Sequence, residues 1–274
     1  MCALRAHFYW NPLQLNSGVR WQHALSTHPV WFDQDAYALR CEWGAAGVAA
    51  LAPHVDVIVL VDVLSFSTCV DIAVSRGAHV YPYPWKDASA TAFAESLNAV
   101  LAGPRSHQHV SLSPRSLSGL HAGTRIVLPS PNGATLSRIT GRVPTLTGCL
   151  RNAAAVARAA QVYGARIGLV PAGEQWPDGS LRPCIEDWLG AGAIFAHLTG
   201  AASPEAELAR DAFGSRRSFI ADVVAASASG RELIDHGWAD DVGIAAQLDV
   251  SATVPVLIDH AYAPSPAAVD SPAI

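Results

Sequence analysis

Several carboxylates and hydroxyls in this sequence could act on an anionic substrate. They lie directly after, or at the start of, runs of apolar residues. Asp62 directly follows one apolar, β-branched run, and Ser67 and Thr68 come a few residues later. Glu186 and Asp187 stand together at the start of a run of small and apolar residues. Carboxylate oxygens are ligands for hard cations such as Mg²⁺, and carboxylates also serve as general bases. The predicted catalytic and metal-binding residues are therefore Asp62, Glu186 and Asp187.

Groups that bind phosphate oxygens occur in the same kind of position. Asn132 and Gly133 follow a second apolar run, Arg151 and Asn152 follow a third, and a fourth run is followed by Glu174. Guanidinium groups and the N–H groups at helix starts are common anion-binding elements in proteins. The predicted substrate-binding residues are Ser67, Thr68, Asn132, Gly133, Arg151, Asn152 and Arg182.

Most of these residues also have a purely structural interpretation. Asp62, Ser67 and Thr68 are residue types that cap helices. The Asn-Gly pair at 132–133 is common in tight turns, and the acids at 186–187 would complement a helix dipole. The sequence by itself leaves both interpretations open.

Strands and helices alternate along the chain and would position these residues. Strands are predicted over 35–41, 55–61, 80–84, 125–128, 143–146, 166–170 and 254–258. Helices are predicted over 44–52, 68–75, 87–101, 134–139, 184–198, 204–213, 219–226 and 231–235, and one more helix follows residue 152 and ends at 161. The prolines of 80–84 favour an edge or a strand end. The alternation predicts an α/β fold with three layers, α/β/α, around a sheet that is either mostly parallel or mixed. In a parallel sheet the strands share one carboxyl edge, so the polar turns should meet there.

The chain is predicted to form a single α/β unit over residues 1–262. Residues 1–31 are an irregular lead-in with three tryptophans, and residues 263–274 are a flexible tail rich in Ala, Pro and Ser. The segment 103–123 is rich in Pro, Ser, Gly and His. It is the best candidate for a mobile loop, and a break there would divide the unit into two interlocked subdomains.

Composition excludes several classes of function. The net charge is −5 and there is no basic cluster, so we expect no nucleic-acid partner. We expect neither a signal peptide nor a membrane span, because no long apolar stretch is present. The five cysteines are odd in number and form no CxxC pair, which favours reduced thiols and a cytoplasmic location. A thiol hydrolase using Cys149 or Cys184 stays open as an alternative.

Six segments of the sequence occur in a characteristic order. They are VDVLSFST (61–68), RIVLPSPNGAT (125–135), GCLRNAAAVA (148–157), LVPAGE (169–174), CIEDWLGAGAI (184–194) and SGRELIDHGWADDVGIAAQLDVSATVPVL (229–257). This ordered set resembles the 2-phosphosulfolactate phosphatases, the ComB family.

The resemblance implies a ComB-like α/β fold and a Mg²⁺-dependent phosphatase. The implied substrate is a small phosphate monoester of a sulfonated hydroxy acid. The resemblance is also compatible with a homodimer. The polar motifs of the family map onto Asp62, Ser67, Thr68, Asn132, Gly133, Asn152, Glu186 and Asp187. A non-catalytic relative that binds an anionic metabolite is the alternative.

Two segments depart from the family pattern. The first motif reads DVLRAST in the family, whereas Ser65 and Phe66 replace Arg-Ala here. The loop over 103–123 also lacks the expected turn containing Gly-Asn. The missing guanidinium removes a strong anion contact, for which Arg115 or Arg182 could compensate.

Overall fold

The structure is a computed structural model that describes residues 31–85, 87–106 and 108–265. Residues 1–30 of the lead-in predicted over 1–31 lie outside the described residues, and so do residues 266–274 of the predicted tail. From Trp31 onward, the described residues belong to one compact unit.

Eleven strands and eleven α-helices are found in this part of the chain. The strands are β1 (Leu39–Cys41), β2 (Val57–Val61), β3 (His79–Tyr83), β4 (Val100–Leu101), β5 (Arg125–Pro129), β6 (Thr145–Gly148), β7 (Ile167–Pro171), β8 (Glu174–Gln175), β9 (Leu181–Arg182), β10 (Pro255–Ile258) and β11 (Ala261–Pro264). The helices are α1 (Gly44–Leu51), α2 (Phe66–Ser75), α3 (Ala88–Ser96), α4 (Pro114–Leu117), α5 (Gly133–Ile139), α6 (Ala153–Tyr163), α7 (Ile185–Phe195), α8 (Pro204–Arg216), α9 (Ile220–Ala226), α10 (Ala228–Asp235) and α11 (Ala239–Ala245). None of these helices is both long and apolar enough to cross a membrane.

Nine strands form one sheet in the order β1-β7-β2-β6-β10-β11-β3-β5-β4. The strands β1, β7, β2 and β6 are parallel to one another, and so are β3, β5 and β4. The hairpin β10–β11 joins these two halves through antiparallel pairs on both sides. Three successive antiparallel pairs reverse the direction, so the second half runs opposite to the first. The sheet is therefore mixed: β2, β6 and β7 share one carboxyl edge as predicted, whereas β5 runs in the opposite direction.

Strand β2 lies at the centre of the three layers. Its residues Val57, Val59 and Val61 pack with α6, α7 and α8 on one face. Ile58 and Leu60 pack with α1 and α5 on the other face. Because both faces are covered, the strand is apolar throughout rather than alternating. This confirms the predicted α/β/α architecture.

Several predicted elements differ from the structure. Strand β3 lies inside the sheet rather than at an edge. Pro82 is tolerated there because β11 pairs with β3 only at Val80, which leaves no hydrogen-bonded partner on that side at Pro82. The predicted helix 87–101 ends at Ser96, and Asn98 with a φ of 48° lets the chain turn into β4. The tail predicted from residue 263 begins inside β11.

Side-chain caps determine where several helices start. The Asp87 carboxylate accepts a hydrogen bond of 2.9 Å from the N–H of Ser89, which confirms the predicted cap of α3. The hydroxyls of Ser203 and Ser227 accept hydrogen bonds from the third residue after each of them. Each cap satisfies a backbone donor that the helix itself leaves unpaired. Helix α11 and the hairpin β8–β9 carry no comparable signal, and the sequence did not predict them.

Close packing of α7 on α8 depends on Gly192. A Cβ atom at this position would collide with the carbonyl oxygen of Ala209 and lie 2.8 Å from the Cβ of Phe213. We expect Gly192→Ala to lower the free energy of unfolding by about 1–3 kcal/mol, because the two helices would have to separate. Urea unfolding followed by circular dichroism measures this.

Gly214→Ala in α8 is the matched control, since open space surrounds Gly214. Higher helix propensity should raise its free energy of unfolding by roughly 0.5–1 kcal/mol. If both variants were stabilised alike, the packing argument would be wrong.

Candidate functional site

Asp62 lies immediately after β2, and its side chain is 5% exposed. Its carboxylate accepts hydrogen bonds from the N–H groups of Phe66 at 3.0 Å and Gly133 at 2.9 Å. The first bond starts helix α2, as the structural interpretation of Asp62 predicted. The second joins the turn after β5 to the turn after β2. Asp62 thus brings together two predicted turns even though the two halves of the sheet run in opposite directions.

Asp187 plays the same part on the other side of β2. Its two carboxylate oxygens accept hydrogen bonds from the N–H groups of Val63 at 2.7 Å and Gly173 at 2.9 Å. The turns after β2 and β7 are therefore joined by a side chain from the first turn of α7. Together, the two aspartates connect three polar turns through four hydrogen bonds to backbone N–H groups.

Glu186 differs from both aspartates. Its side chain is also buried, with 2% exposed. Among the residues that the structure describes, none donates a hydrogen bond to its carboxylate. No buried side-chain nitrogen or oxygen atom of the described residues lacks a hydrogen-bond partner, so the unbonded carboxylate oxygens of Glu186 are accessible to solvent and to a ligand or cation. Glu186 is therefore the acid of the predicted set that is free to bind one.

Burial and the neighbouring negative charges raise the pKa values of Asp62 and Asp187. Burial raises the pKa of the Asp62 carboxyl to about 7, and the negative charges of Glu174 and Glu186 add to this rise. Burial also raises the pKa of Asp187 well above its usual range, with further contributions from Asp62 and Glu186. The hydrogen bonds from backbone N–H groups oppose both shifts. The charged forms of Asp62 and Asp187 are consequently disfavoured, and a bound cation would stabilise them.

Glu174 belongs to this cluster, although it was absent from the predicted site set. The side-chain amide of Asn132 donates a hydrogen bond of 2.9 Å to its carboxylate. Glu174 directly follows the Ala-Gly turn after β7, which was the available sequence signal. Gly133 is needed next to Asn132, because a Cβ atom there would lie 2.8 Å from Oδ2 of Asp62 and collide with Phe66.

Ser67 and Thr68 face the protein interior. The Ser67 hydroxyl accepts a hydrogen bond from the N–H of Asp62 at 2.9 Å and lies 2.6 Å from the Thr147 hydroxyl. The Thr68 hydroxyl donates to the carbonyl of Val63. In this arrangement both hydroxyls stabilise the turn after β2, and their contact with a substrate stays a prediction.

The remaining predicted residues bind other partners. Arg151 donates to Asp71 at 2.9 Å and to the side chain of Gln247. Asn152 accepts from the N–H of Cys149, which stabilises the start of α6. Arg182 donates to the Ser229 hydroxyl at 3.1 Å and lies over the ring of Trp176. Within the described part of the chain, none of these three side chains donates a hydrogen bond to Asp62 or Asp187.

An arginine that the sequence did not predict contacts the turn after β2. Nη2 of Arg105 lies 3.2 Å from the Ser65 hydroxyl, and Nη1 forms an ion pair of 2.6 Å with Asp241. Asp241 is buried and also accepts from the Ser113 hydroxyl and the Arg115 N–H. These contacts hold the loop predicted to be mobile against α11.

The donor set is compatible with Mg²⁺ held through few protein ligands. Within the described part of the chain, no three His, Cys, Asp or Glu side chains form a preformed metal cluster. Mg²⁺ commonly binds through one or two carboxylates and keeps several waters. Glu186, with Asp62 or Asp187 beside it, meets that requirement.

The two candidate thiols are unsuited to nucleophilic attack. Cys149 and Cys184 are both buried. Burial raises the pKa of the Cys149 thiol to about 12 and that of Cys184 above its usual range. Since the thiolate is the reactive form, the thiol-hydrolase alternative loses its support.

The fold and the buried acids define an α/β protein with an acidic site at the end of its central strand. The family profile described as 2-phosphosulpholactate phosphatase matches residues 49–260. The chain belongs to this family of phosphatases, which confirms the resemblance and the class of enzyme.

Two relatives match most of the chain. The 2-phosphosulfolactate phosphatase of Methanothermobacter thermautotrophicus is 29% identical over 205 residues, covering 73% of this chain and 86% of its own. A protein of Carboxydothermus hydrogenoformans named "Probable 2-phosphosulfolactate phosphatase" is 30% identical over 209 residues, covering 72% of this chain and 84% of its own.

The buried acids predict how stability depends on pH. Because the native pKa of Asp62 is raised, the folded protein binds more protons than the unfolded chain between about pH 4 and pH 7. The free energy of unfolding should therefore fall as the pH rises through this range. With a chelator present to remove metal ions, we expect the free energy of unfolding to fall by roughly 2–4 kcal/mol, since one pKa unit corresponds to about 1.4 kcal/mol.

Urea unfolding at several pH values, with Glu186→Gln beside the wild type, checks this expectation. The variant removes one negative charge from the cluster, so its stability should depend less on pH. Glu207→Gln changes an exposed side chain and should leave the slope unchanged. An equal slope in all three proteins would contradict the interaction among the acids.

Proposed function

We propose that this protein is a Mg²⁺-dependent phosphatase that hydrolyses 2-phosphosulfolactate to 3-sulfolactate and phosphate. The observation that carries the proposal is the buried acidic cluster in which Glu186 has no hydrogen-bond donor among the described residues. Family membership and the names of the relatives support the reaction. The proposed partner is thus a small anionic phosphate ester, and the proposed location is the cytoplasm.

The acids of the cluster have different proposed roles. Glu186 would hold Mg²⁺, because its carboxylate has no donor among the described residues. Asp62 and Asp187 would lie beside the cation and hold the three turns around the reacting phosphate. When bound, Mg²⁺ would neutralise charge on the phosphate oxygens and orient the attacking water.

Groups around the acids would contact the substrate. Asn132 lies next to the carboxylates through its bond to Glu174, so its amide is positioned to contact a phosphate oxygen. Ser67 and Thr68 support the turn that carries Asp62. The non-catalytic alternative is not favoured, because the chain belongs to a family of phosphatases and its relatives carry the name of the enzyme.

Phosphate release from 2-phosphosulfolactate and from other small phosphate esters, with Mg²⁺ and with a chelator, tests the proposal. We expect hydrolysis with Mg²⁺ and its loss in the chelator. Glu186→Gln should lower kcat by roughly 100-fold or more, because the acid that holds the cation is removed. The free energy of unfolding measured for the same variant separates this effect from misfolding.

Glu207→Gln is the control, since this glutamate is exposed on α8. Its activity should equal that of the wild type. The proposal fails if no ester is hydrolysed in either condition, or if Glu186→Gln keeps full activity.

A further inference from the structure

We propose that Arg105 binds an acid group of the substrate other than the phosphate. The inference rests on the proposed function and adds the residue that selects the class of substrate. That class is a phosphate monoester that carries a carboxylate or a sulfonate near the ester.

The position of the Arg105 guanidinium is the first support. Nη2 lies 3.2 Å from the hydroxyl of Ser65, in the turn after β2. Ser65 is the residue before α2 and lies three positions after Asp62. A guanidinium from a distant loop thus reaches the turn that carries the central acid of the site.

The second support is that this guanidinium is fixed in place. Nη1 forms the ion pair of 2.6 Å with Asp241, whose side chain is 2% exposed. The carbon at the centre of the guanidinium lies 5.6 Å from the ring centre of Trp238. Asp241 is itself held by Ser113 and by the N–H of Arg115. Asp241 is therefore a positioning residue for Arg105, and little side-chain entropy would be lost when an anion binds.

The third support is open space beside the arginine. A cavity of about 420 Å³ is lined by Arg105, by apolar residues such as Leu112 and Pro129, and by Asp87, whose carboxylate caps α3. Pro129 directly precedes the turn that carries Asn132 and Gly133. The Arg105 side chain is 19% exposed. A guanidinium has five N–H donors, and its contacts with Asp241 and Ser65 leave donors for a ligand.

The two arginines that the sequence suggested as replacements are engaged elsewhere. Arg115 pairs with Asp240, and both side chains are more than half exposed. Arg182 lies over the ring of Trp176 and donates to Ser229. Of these three arginines, only Arg105 has a hydrogen bond to Ser65. A guanidinium also binds a carboxylate or sulfonate through two parallel bonds, which gives it selectivity for such groups.

Three esters separate binding of the acid group from general activity. 2-Phosphosulfolactate carries a carboxylate and a sulfonate, 2-phospholactate carries only the carboxylate, and glycerol 2-phosphate carries neither. We expect Arg105→Met to lower kcat/KM for 2-phosphosulfolactate by roughly 10- to 100-fold, which is typical of a hydrogen bond between charged groups. For glycerol 2-phosphate the change should stay below about 2-fold. The result with 2-phospholactate tells which acid group Arg105 binds.

Calorimetric titration with 3-sulfolactate provides a readout that needs no turnover. Arg105→Met should raise its Kd by the same roughly 10- to 100-fold factor. Because the single variant leaves Asp241 without its ion-pair partner, Arg105→Met/Asp241→Asn is measured beside it and should behave alike. Arg115→Met is the matched control, since it removes an exposed arginine of the same segment and should change neither readout.

The two readouts separate failure of this inference from failure of the proposed function. If the wild type hydrolyses no ester, but binds 3-sulfolactate and Arg105→Met does not, the phosphatase proposal fails and the role of Arg105 stands. If 3-sulfolactate does not bind the wild type, or binds Arg105→Met equally well, the inference is overturned. An equal loss of kcat/KM on all three esters also overturns it, because that result indicates a structural role.

Discussion

The site depends on two buried aspartates that bind the backbone of neighbouring turns. Asp62 accepts hydrogen bonds from Phe66 and Gly133, and Asp187 accepts them from Val63 and Gly173. A hydrogen bond to a charged group contributes about 1.5–3 kcal/mol, so these four bonds stabilise turns that no ladder of strand pairing connects. The same bonds fix the position of the acids.

Burying these acids side by side is electrostatically unfavourable, which suggests that the site binds a cation. Four acids lie close together, and the pKa values of Asp62 and Asp187 are raised by burial and by their neighbours. A cation bound at Glu186 would relieve this repulsion, and it would also make the site attractive to a phosphate ester. The structural and the catalytic interpretations of Asp62 are therefore compatible, because the bonds that hold the turn leave the charge in place.

A second set of contacts closes the site from the other half of the sheet. The ion pair of Arg105 with Asp241 ties the loop after β4 to α11, and the same arginine reaches Ser65. The loop that composition predicted to be mobile is held by buried polar contacts. A guanidinium from a distant part of the chain thus lies beside the turn that carries Asp62.

Sequence reasoning predicted the features that depend on local pattern. The apolar run of β2, the start of α2, the cap at Asp87 and the α/β/α layers follow from periodicity and residue type, which are local properties. Asp62, Glu186 and Asp187 could be singled out because they lie at the end of a buried strand or the start of a buried helix, where ligands bind in α/β proteins. Glu174 could have been included on the same grounds.

Only the tertiary structure decided how the strands pair and which side chains meet. The hairpin β10–β11 reverses the second half of the sheet, and no residue pattern in β3 or β5 reveals that direction. Arg105 lies 40 residues from Ser65 and 136 from Asp241 in the sequence. Contacts at such separations depend on the packing of the whole chain, whereas periodicity reports only which face of an element is buried. The sequence therefore determined the acids of the site, and the fold decided which arginine stands beside them.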